Sequence, residues 1–200
     1  MNESAPSRPT AFLALLLALV LGGCRGDAGA APLAGATMGG AFSLTDQDGR
    51  RVSDRDFAGR YRLIYFGYTF CPDVCPVDLQ KIGAGLRQFE RRDPDRARRV
   101  QPIFITVDPA RDTPEVMRRY VANFHPRLIG LTGSEQDIAA TASTFRILRE
   151  LPEPSARPRD YLVNHSQITV LYGPQGEPVA IMPTDRGPEA LAAELDRWVR

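Results

Sequence analysis

The sequence predicts one α/β domain over residues 41–200, a central mixed sheet flanked by helices, with a β-hairpin at its N-terminal end. Three observations carry that prediction. Near-continuous apolar runs from Leu63 to Tyr68 and from Val100 to Val107 read as buried central strands, because a strand covered on both faces has no polar side to alternate with. Each run is followed by helix-opening chemistry, Pro76 after the first and Thr113-Pro114-Glu115 after the second. A late pair of apolar runs, Ile168 to Tyr172 and Val179 to Met182, flanks Gly173-Pro-Gln-Gly176 and reads as a hairpin. Composition agrees: 43% hydrophobic and 24% charged residues are globular values and exclude wholesale disorder.

The elements follow in order. Phe42 to Val52 reads as a hairpin with Asp48-Gly49 as its turn, and Ser53 to Phe57 is short and polar, ending at Gly59. After the first core strand a helix opens at Pro76 and runs to about Glu90, with Leu79, Ile82 and Leu86 on one face. In the second core strand Pro102 lacks an N–H, so pairing is expected only beyond it. Arg91 to Arg99 alternates in sign and reads as a solvated loop. Thr113 caps a helix to about Phe124, and Ser134 opens another to Phe145. The last helix, Pro188 to Arg200, carries Leu191, Leu195 and Trp198 on one face. Strand, helix, strand, helix, hairpin, helix is the order of a thioredoxin-like domain.

Residues 1–23 stand apart as an expected lipoprotein signal peptide. Ala11 to Leu21 is an unbroken run of eleven apolar residues. As a helix it spans about 16 Å, too little for a hydrocarbon core of about 30 Å but suited to a secretory signal. Leu21-Gly22-Gly23-Cys24 resembles a bacterial lipobox, in which the chain is cut before a cysteine that takes a diacylglycerol. An uncleaved anchor with an incidental cysteine is the plainer alternative. Arg25 to Gly40, rich in Gly and Ala, completes a tether over residues 24–40 with a reach of about 20 Å. The expected location is extracytoplasmic, on the periplasmic side, bound to the lipid bilayer through acylated Cys24.

Chemistry concentrates at Phe70-Cys71-Pro72-Asp73-Val74-Cys75-Pro76, where a buried strand gives way to a helix. Backbone N–H groups and the positive helix end favour thiolates there, so both cysteine pKa values are expected to fall. Four-residue spacing brings the sulfurs to one side, near enough to share a ligand or form a disulfide. Two soft thiolates select Cu(I), Zn(II) or iron–sulfur chemistry, and the last normally needs four protein ligands. With Cys24 consumed by lipid, only two thiols remain. The two histidines are His125, in Asn-Phe-His-Pro at a helix end, and His165, in Tyr161-Leu-Val-Asn-His-Ser166. His125 reads as a cation capping carbonyls. His165 is either an ordinary hydrogen-bonding residue or a third ligand, following a loop from Pro152 to Pro158 able to reposition it.

Four ordered motifs together resemble the Sco/SenC family: Phe42-x-Leu-Thr-Asp-x-Asp-Gly49, Tyr65 to Pro76, Ile105-Thr-Val-Asp-Pro-Ala-Arg-Asp-Thr-Pro114, and Tyr161-x-Val-Asn-His-Ser166. The resemblance covers the chain beyond the tether. It implies a thioredoxin-like copper chaperone serving the dinuclear copper centre of cytochrome c oxidase, with copper, as Cu(I), Cu(II) or both, bound by Cys71, Cys75 and His165. The oxidase's copper-bearing subunit is the implied partner, alongside another periplasmic copper chaperone or a thiol reductant. Asn164 stands where the family usually has aspartate. It and Asp73 are expected beside the ligands without binding the metal. A Cys71–Cys75 disulfide would gate loading.

Other readings are weaker. A metal-independent thiol–disulfide oxidoreductase would use Cys71 and Cys75, but ordinary thioredoxins carry Cys-x-x-Cys, and such a role leaves His165 without a task. A peroxiredoxin-like peroxidase would place threonine three residues before its cysteine, whereas Thr69 lies two before Cys71. Asp108 and Asp112 near Arg111 read as an Arg–Asp structural network rather than an acid–base pair. Met117 and Met182 fall at core positions. A net charge of +1 argues against a nucleic-acid partner.

Overall fold

The structure, a computed structural model, describes residues 29–153 and 161–200. The expected signal peptide, Cys24 and residues 154–158 of the proline-bearing loop lie outside the described residues.

Strands β1 (Ser43–Asp46) and β2 (Arg51–Ser53) form the antiparallel hairpin, with Ser43 opposite Ser53 and Thr45 opposite Arg51. Its turn closes on the Asp46 carboxylate, which accepts the Asp48 N–H at 2.8 Å and the Arg50 N–H at 2.9 Å, while Gly49 takes a φ of 80°. β3 (Tyr61–Gly67) and β4 (Val100–Thr106) are buried at every position, as their apolar runs require. Helix α1 (Val74–Arg92) connects them, followed by the short α2 (Pro94–Arg98). Then come α3 (Pro114–Val121), β5 (Ile129–Thr132), α4 (Glu135–Thr144), β6 (Arg149–Glu150), β7 (Asn164–His165), β8 (Thr169–Tyr172), β9 (Pro178–Met182) and α5 (Pro188–Trp198).

Seven strands share one sheet in the order β2-β1-β5-β4-β3-β8-β9. β3, β4 and β5 run parallel, and β1, β8 and β9 are antiparallel to their neighbours, which makes the sheet mixed as expected. β6 and β7 form a separate two-stranded ribbon pairing Arg149 with His165. α1 packs along α5 so closely that a Cβ on Gly85 would stand 2.6 Å from Leu191 Cδ2. Leu79, Ile82 and Leu86 are buried on the inner face of α1, and Met117 and Met182 are core residues.

Several expectations are corrected. Pairing of β4 begins before Pro102, which lies opposite Leu63; β5 joins only from Ile103, so at Pro102 one edge of β4 is still open and a missing N–H is tolerated. Arg91 to Arg99 is helical rather than a loop: α1 runs to Arg92, and Asp93 caps α2 by accepting the Arg96 N–H at 3.0 Å, with Pro94 in its first turn. α3 stops at Val121, short of Phe124, where the Asn123 side chain donates to the Arg119 and Tyr120 carbonyls. Residues 31–40, assigned to the tether, belong to the compact unit Ala31–Arg200. Leu33 N–H donates to the Val179 carbonyl at 3.1 Å and Gly39 N–H to Thr144 at 3.0 Å, and Leu33 and Met38 pack on the core.

Candidate metal centre

The C-terminal end of β3 delivers the chain to the cysteine loop. Gly67 is required there: a Cβ would stand 3.0 Å from Cys75 Sγ and 2.9 Å from Phe104 Cε2. Cys71 precedes α1, its N–H bonded to the Tyr68 carbonyl at 3.3 Å, and Cys75 lies in the first turn of the helix. The Cys75 N–H donates to Cys71 Sγ at 3.4 Å, so this sulfur occupies the place of a capping side chain on one of the helix's unsatisfied donors. Both cysteines are unbridged; Cys71 is half-buried and Cys75 fully buried.

The burial of Cys75 overturns one sequence expectation. Cys75, Leu79, Ile82, Leu86 and Phe89 form a continuous 4-3-4-3 stripe along the inner face of α1, all buried. Burial therefore outweighs the helix end, and the Cys75 thiol is pushed up to about 12 rather than lowered. The Tyr65 hydroxyl sits between Cys75 and Asp78, donating to Asp78 Oδ2 at 3.2 Å.

His165 reaches the same place from the other side. Arg149 secures its ribbon, donating to the Val107 carbonyl at 2.6 Å and to both oxygens of Glu135 at 2.6 and 2.8 Å. His165 Nε2 lies 3.6 Å from Cys75 Sγ, and Nδ1 is 3.0 Å from the Ser166 carbonyl. A carbonyl can only accept, so Nδ1 carries the proton and Nε2 turns its lone pair towards the sulfur. Burial holds the imidazole below its usual range and thus neutral. The Tyr68 ring meets it edge-on, centroids 5.8 Å apart.

A cleft of 350 Å³ opens between the two segments, lined among others by Tyr68, Cys71, Asp73, Leu162, Asn164 and His165. Larger clefts of 600 and 550 Å³ elsewhere contain neither cysteine nor histidine. Among the described residues no three His, Cys, Asp or Glu side chains are gathered to hold a metal as they stand. Cys75 and His165 are paired, while the Cys71 sulfur faces a backbone N–H. Asn164 turns to Glu150 at 2.8 Å and leaves the Nδ1 contact to Ser166, and Asp73 is exposed at the start of α1 without a capping bond.

His125 is not a carbonyl-capping cation. It is buried, its Nδ1 accepts the Arg127 N–H at 3.2 Å, and Nε2 faces Glu90 Oε2 at 3.4 Å. Burial lowers its pKa, so it is a neutral bridge. Of the expected Arg–Asp network the Asp108 half forms, with Arg111 Nε 2.5 Å from Asp108 Oδ2, whereas Asp112 accepts from Thr69 and Thr106 instead of Arg111. Sequence reasoning missed Tyr68, which the apolar run hid as another strand residue, and Tyr161, whose hydroxyl donates to Asp108 at 2.5 Å. Phe70 and Leu162, 53% and 62% exposed, put apolar surface beside the site.

The profile of the SCO1/SenC family matches residues 30–200. A sco1 protein of Schizosaccharomyces pombe is 41% identical over 162 residues, 80% of this chain and 60% of its own length. A mitochondrial SCO1 homologue of Homo sapiens is 38% identical over 165 residues, 82% of this chain and 53% of its own. The chain thus spans little more than half the length of these curated relatives. Among solved structures, Bradyrhizobium japonicum ScoI with copper bound shares the fold at a TM-score of 0.71 and 40% identity, covering 80% of this chain and 99% of that one. The mixed sheet with its helices is accordingly the thioredoxin-like fold of these Sco structures, as the order of elements predicts. A profile match across all but the first 29 residues, with relatives at this identity, means that the chain belongs to the SCO1/SenC family.

Proposed function

We propose that the protein is a membrane-tethered copper metallochaperone that holds copper through Cys71, Cys75 and His165 and hands it to the copper-bearing subunit of cytochrome c oxidase. The observation that carries this reading is an open cleft lined by Cys71 and His165, with the buried Cys75 sulfur 3.6 Å from the lone pair of the neutral imidazole and the Cys75 N–H 3.4 Å from the Cys71 sulfur, in a chain 40% identical to a protein solved with copper bound. Two sulfurs and an Nε2 lone pair are a donor set suited to Cu(I). Copper is cargo here, not a resident cofactor. Loading turns Cys71 Sγ off the Cys75 N–H, a rotation about one side-chain bond, towards the Cys75–His165 pair. Because Cys71 lies at the cleft mouth, a partner's ligands can displace this sulfur first and take the metal by stepwise exchange. Asn164 and Asp73, flanking the cleft, tune access without binding. Oxidation to a Cys71–Cys75 disulfide removes both sulfur ligands, so redox state gates loading.

In the same proposal, residues 1–23 direct export, Cys24 carries the lipid, and the domain works on the periplasmic side of the membrane. The partners would be the oxidase subunit and a copper donor or thiol reductant, with no nucleic acid. Among the described residues no helix is long and apolar enough to cross a membrane.

The test is competition for Cu(I) against a chromogenic chelator by reduced wild type, Cys71→Ser, Cys75→Ser and His165→Ala. One tightly held equivalent, weakened by each substitution, supports the reading; binding indifferent to all three overturns it. The unequal exposure of the two cysteines favours one second reading, thiol–disulfide exchange. Cys71 thiolate attacks a substrate disulfide and one substrate thiolate leaves and is protonated; Cys75 then attacks the mixed disulfide, releasing the second thiol as the Cys71–Cys75 bond forms. Brisk disulfide reduction by a protein that holds copper weakly would promote it.

A further inference from the structure

The turn at residues 108–112 touches both halves of the candidate site yet supplies no ligand. Fully buried Asp112 accepts the Thr69 N–H at 3.0 Å, the Thr69 hydroxyl at 2.6 Å and the Thr106 hydroxyl at 2.6 Å, fastening the chain two residues before Cys71. Asp108, equally buried, accepts the Tyr161 hydroxyl and Arg111 Nε, each at 2.5 Å, four residues before His165. Arg111 lies across these two anchorages. Its guanidinium carbon is 3.7 Å from the Tyr161 ring centroid, 4.8 Å from Phe70 and 5.7 Å from Tyr68. Nε is met by the Asp108 carboxylate, while Arg111 Nη2 is buried with no hydrogen-bond acceptor, which leaves ring faces as the electrostatic partners of the rest of the guanidinium.

Neither ligand segment has much regular structure of its own to hold it. Cys71 precedes the helix, and His165 sits in a strand of two residues. A fixed distance between them therefore needs a brace from elsewhere. A simple ion pair with Asp108 would be met by any cation, whereas filling the gap between two rings uses the planar, delocalised guanidinium in particular.

We propose that Arg111 is a positioning residue of the copper site: held on Asp108 and packed between Phe70 of the cysteine loop and Tyr161 of the histidine segment, it sets the separation of Cys71 and His165. The inference rests on the reading of Cys71, Cys75 and His165 as copper ligands. It extends that reading to a residue that never touches the metal.

The test uses the full-length reduced protein in detergent, as wild type, Arg111→Lys, Phe70→Ala and His165→Ala. Lysine keeps a charge against buried Asp108 and loses the plane. Phe70→Ala removes one face of the sandwich at an exposed position and leaves the core alone. Three quantities are read: Cu(I) affinity by chelator competition, sulfur and nitrogen coordination by X-ray absorption, and, in metal-free protein, amide hydrogen exchange at residues 68–72 and 161–166. Arg111→Lys should lower affinity about tenfold, the scale of a largely desolvated cation–π contact, and Phe70→Ala about two- to fivefold, the scale of such a contact at an exposed site. They should weaken the nitrogen signal and speed exchange in both segments, with exchange in β3 and β4 unchanged. Wild-type affinity and exchange in both variants, beside a weakened His165→Ala, would overturn the inference and leave the ligand reading standing. Wild-type affinity in His165→Ala would overturn both. Should Arg111→Lys not fold, Phe70→Ala decides by the same readings.

Discussion

Gly67→Ala is a demanding probe of how the scaffold places the site. The backbone at Gly67 lies outside the left-handed region, so alanine meets no conformational penalty and the effect is steric. The new methyl would stand 2.9 Å from Phe104 Cε2, 3.0 Å from Cys75 Sγ and 3.1 Å from Tyr65 Cε1. Phe104 is fully buried and stacks on Tyr65 with centroids 6.3 Å apart, so neither ring can retreat without disturbing the sheet. Overpacking of this kind costs about 1–3 kcal/mol. For a domain of this size that is a fall of roughly 2–12 °C in thermal midpoint. The cheaper adjustment is movement of Cys75 Sγ, which disturbs its 3.6 Å pairing with His165 Nε2. Metal-free Gly67→Ala should therefore melt lower and, where still folded, hold Cu(I) more weakly than wild type. Differential scanning calorimetry and chelator competition read the two effects. An unchanged midpoint with unchanged copper affinity would refute the packing argument.

Three further outcomes follow from the same geometry. Asp112→Ala leaves the Thr69 N–H and the Thr69 and Thr106 hydroxyls without their acceptor; at about 1–3 kcal/mol for each buried group left unmet, urea denaturation should show a loss well above that of a surface substitution. His125, kept neutral by burial among Glu90, Arg87 and Arg127, has a folded pKa below the ordinary 6.5, so its stabilisation is complete above that value and is lost as pH falls through the folded pKa. Between pH 7 and pH 5 the metal-free wild type should lose thermal midpoint faster than His125→Gln, and parallel curves would remove His125 as the cause. Cys24→Ala should move the protein from the membrane to the soluble extracytoplasmic fraction; retention in the membrane would refute lipid anchoring.

Much of the fold was legible because its signals are strong ones. The two core strands are fully apolar, and Thr113 and Ser134 cap their helices with side chains that accept the Val116 and Asp137 N–H groups. What stayed hidden lacked local signal. β5, Ile-Gly-Leu-Thr, is four residues with a glycine and becomes a strand only because β4 and β1 pair with it. Residues 31–40 look like linker by their Gly and Ala content, and only Leu33 and Met38 hint at docking. At the candidate site the spacing of Cys71 and Cys75 was readable, and the burial of Cys75 was readable too, since the stripe through Leu79, Ile82, Leu86 and Phe89 extends to it. The clamp of Asp108, Arg111 and Tyr161 was half visible, as an Arg–Asp pair. Its third member is 53 residues from Asp108 in the chain, and no local pattern reports such a contact.

X-ray absorption at the copper edge of the reduced, Cu(I)-loaded protein tests the central claim most directly. The account predicts two sulfur neighbours at thiolate distance and one imidazole nitrogen, the nitrogen vanishing in His165→Ala and one sulfur in either cysteine variant. A shell of sulfur alone that is the same in wild type and His165→Ala, or copper bound without sulfur, would contradict it.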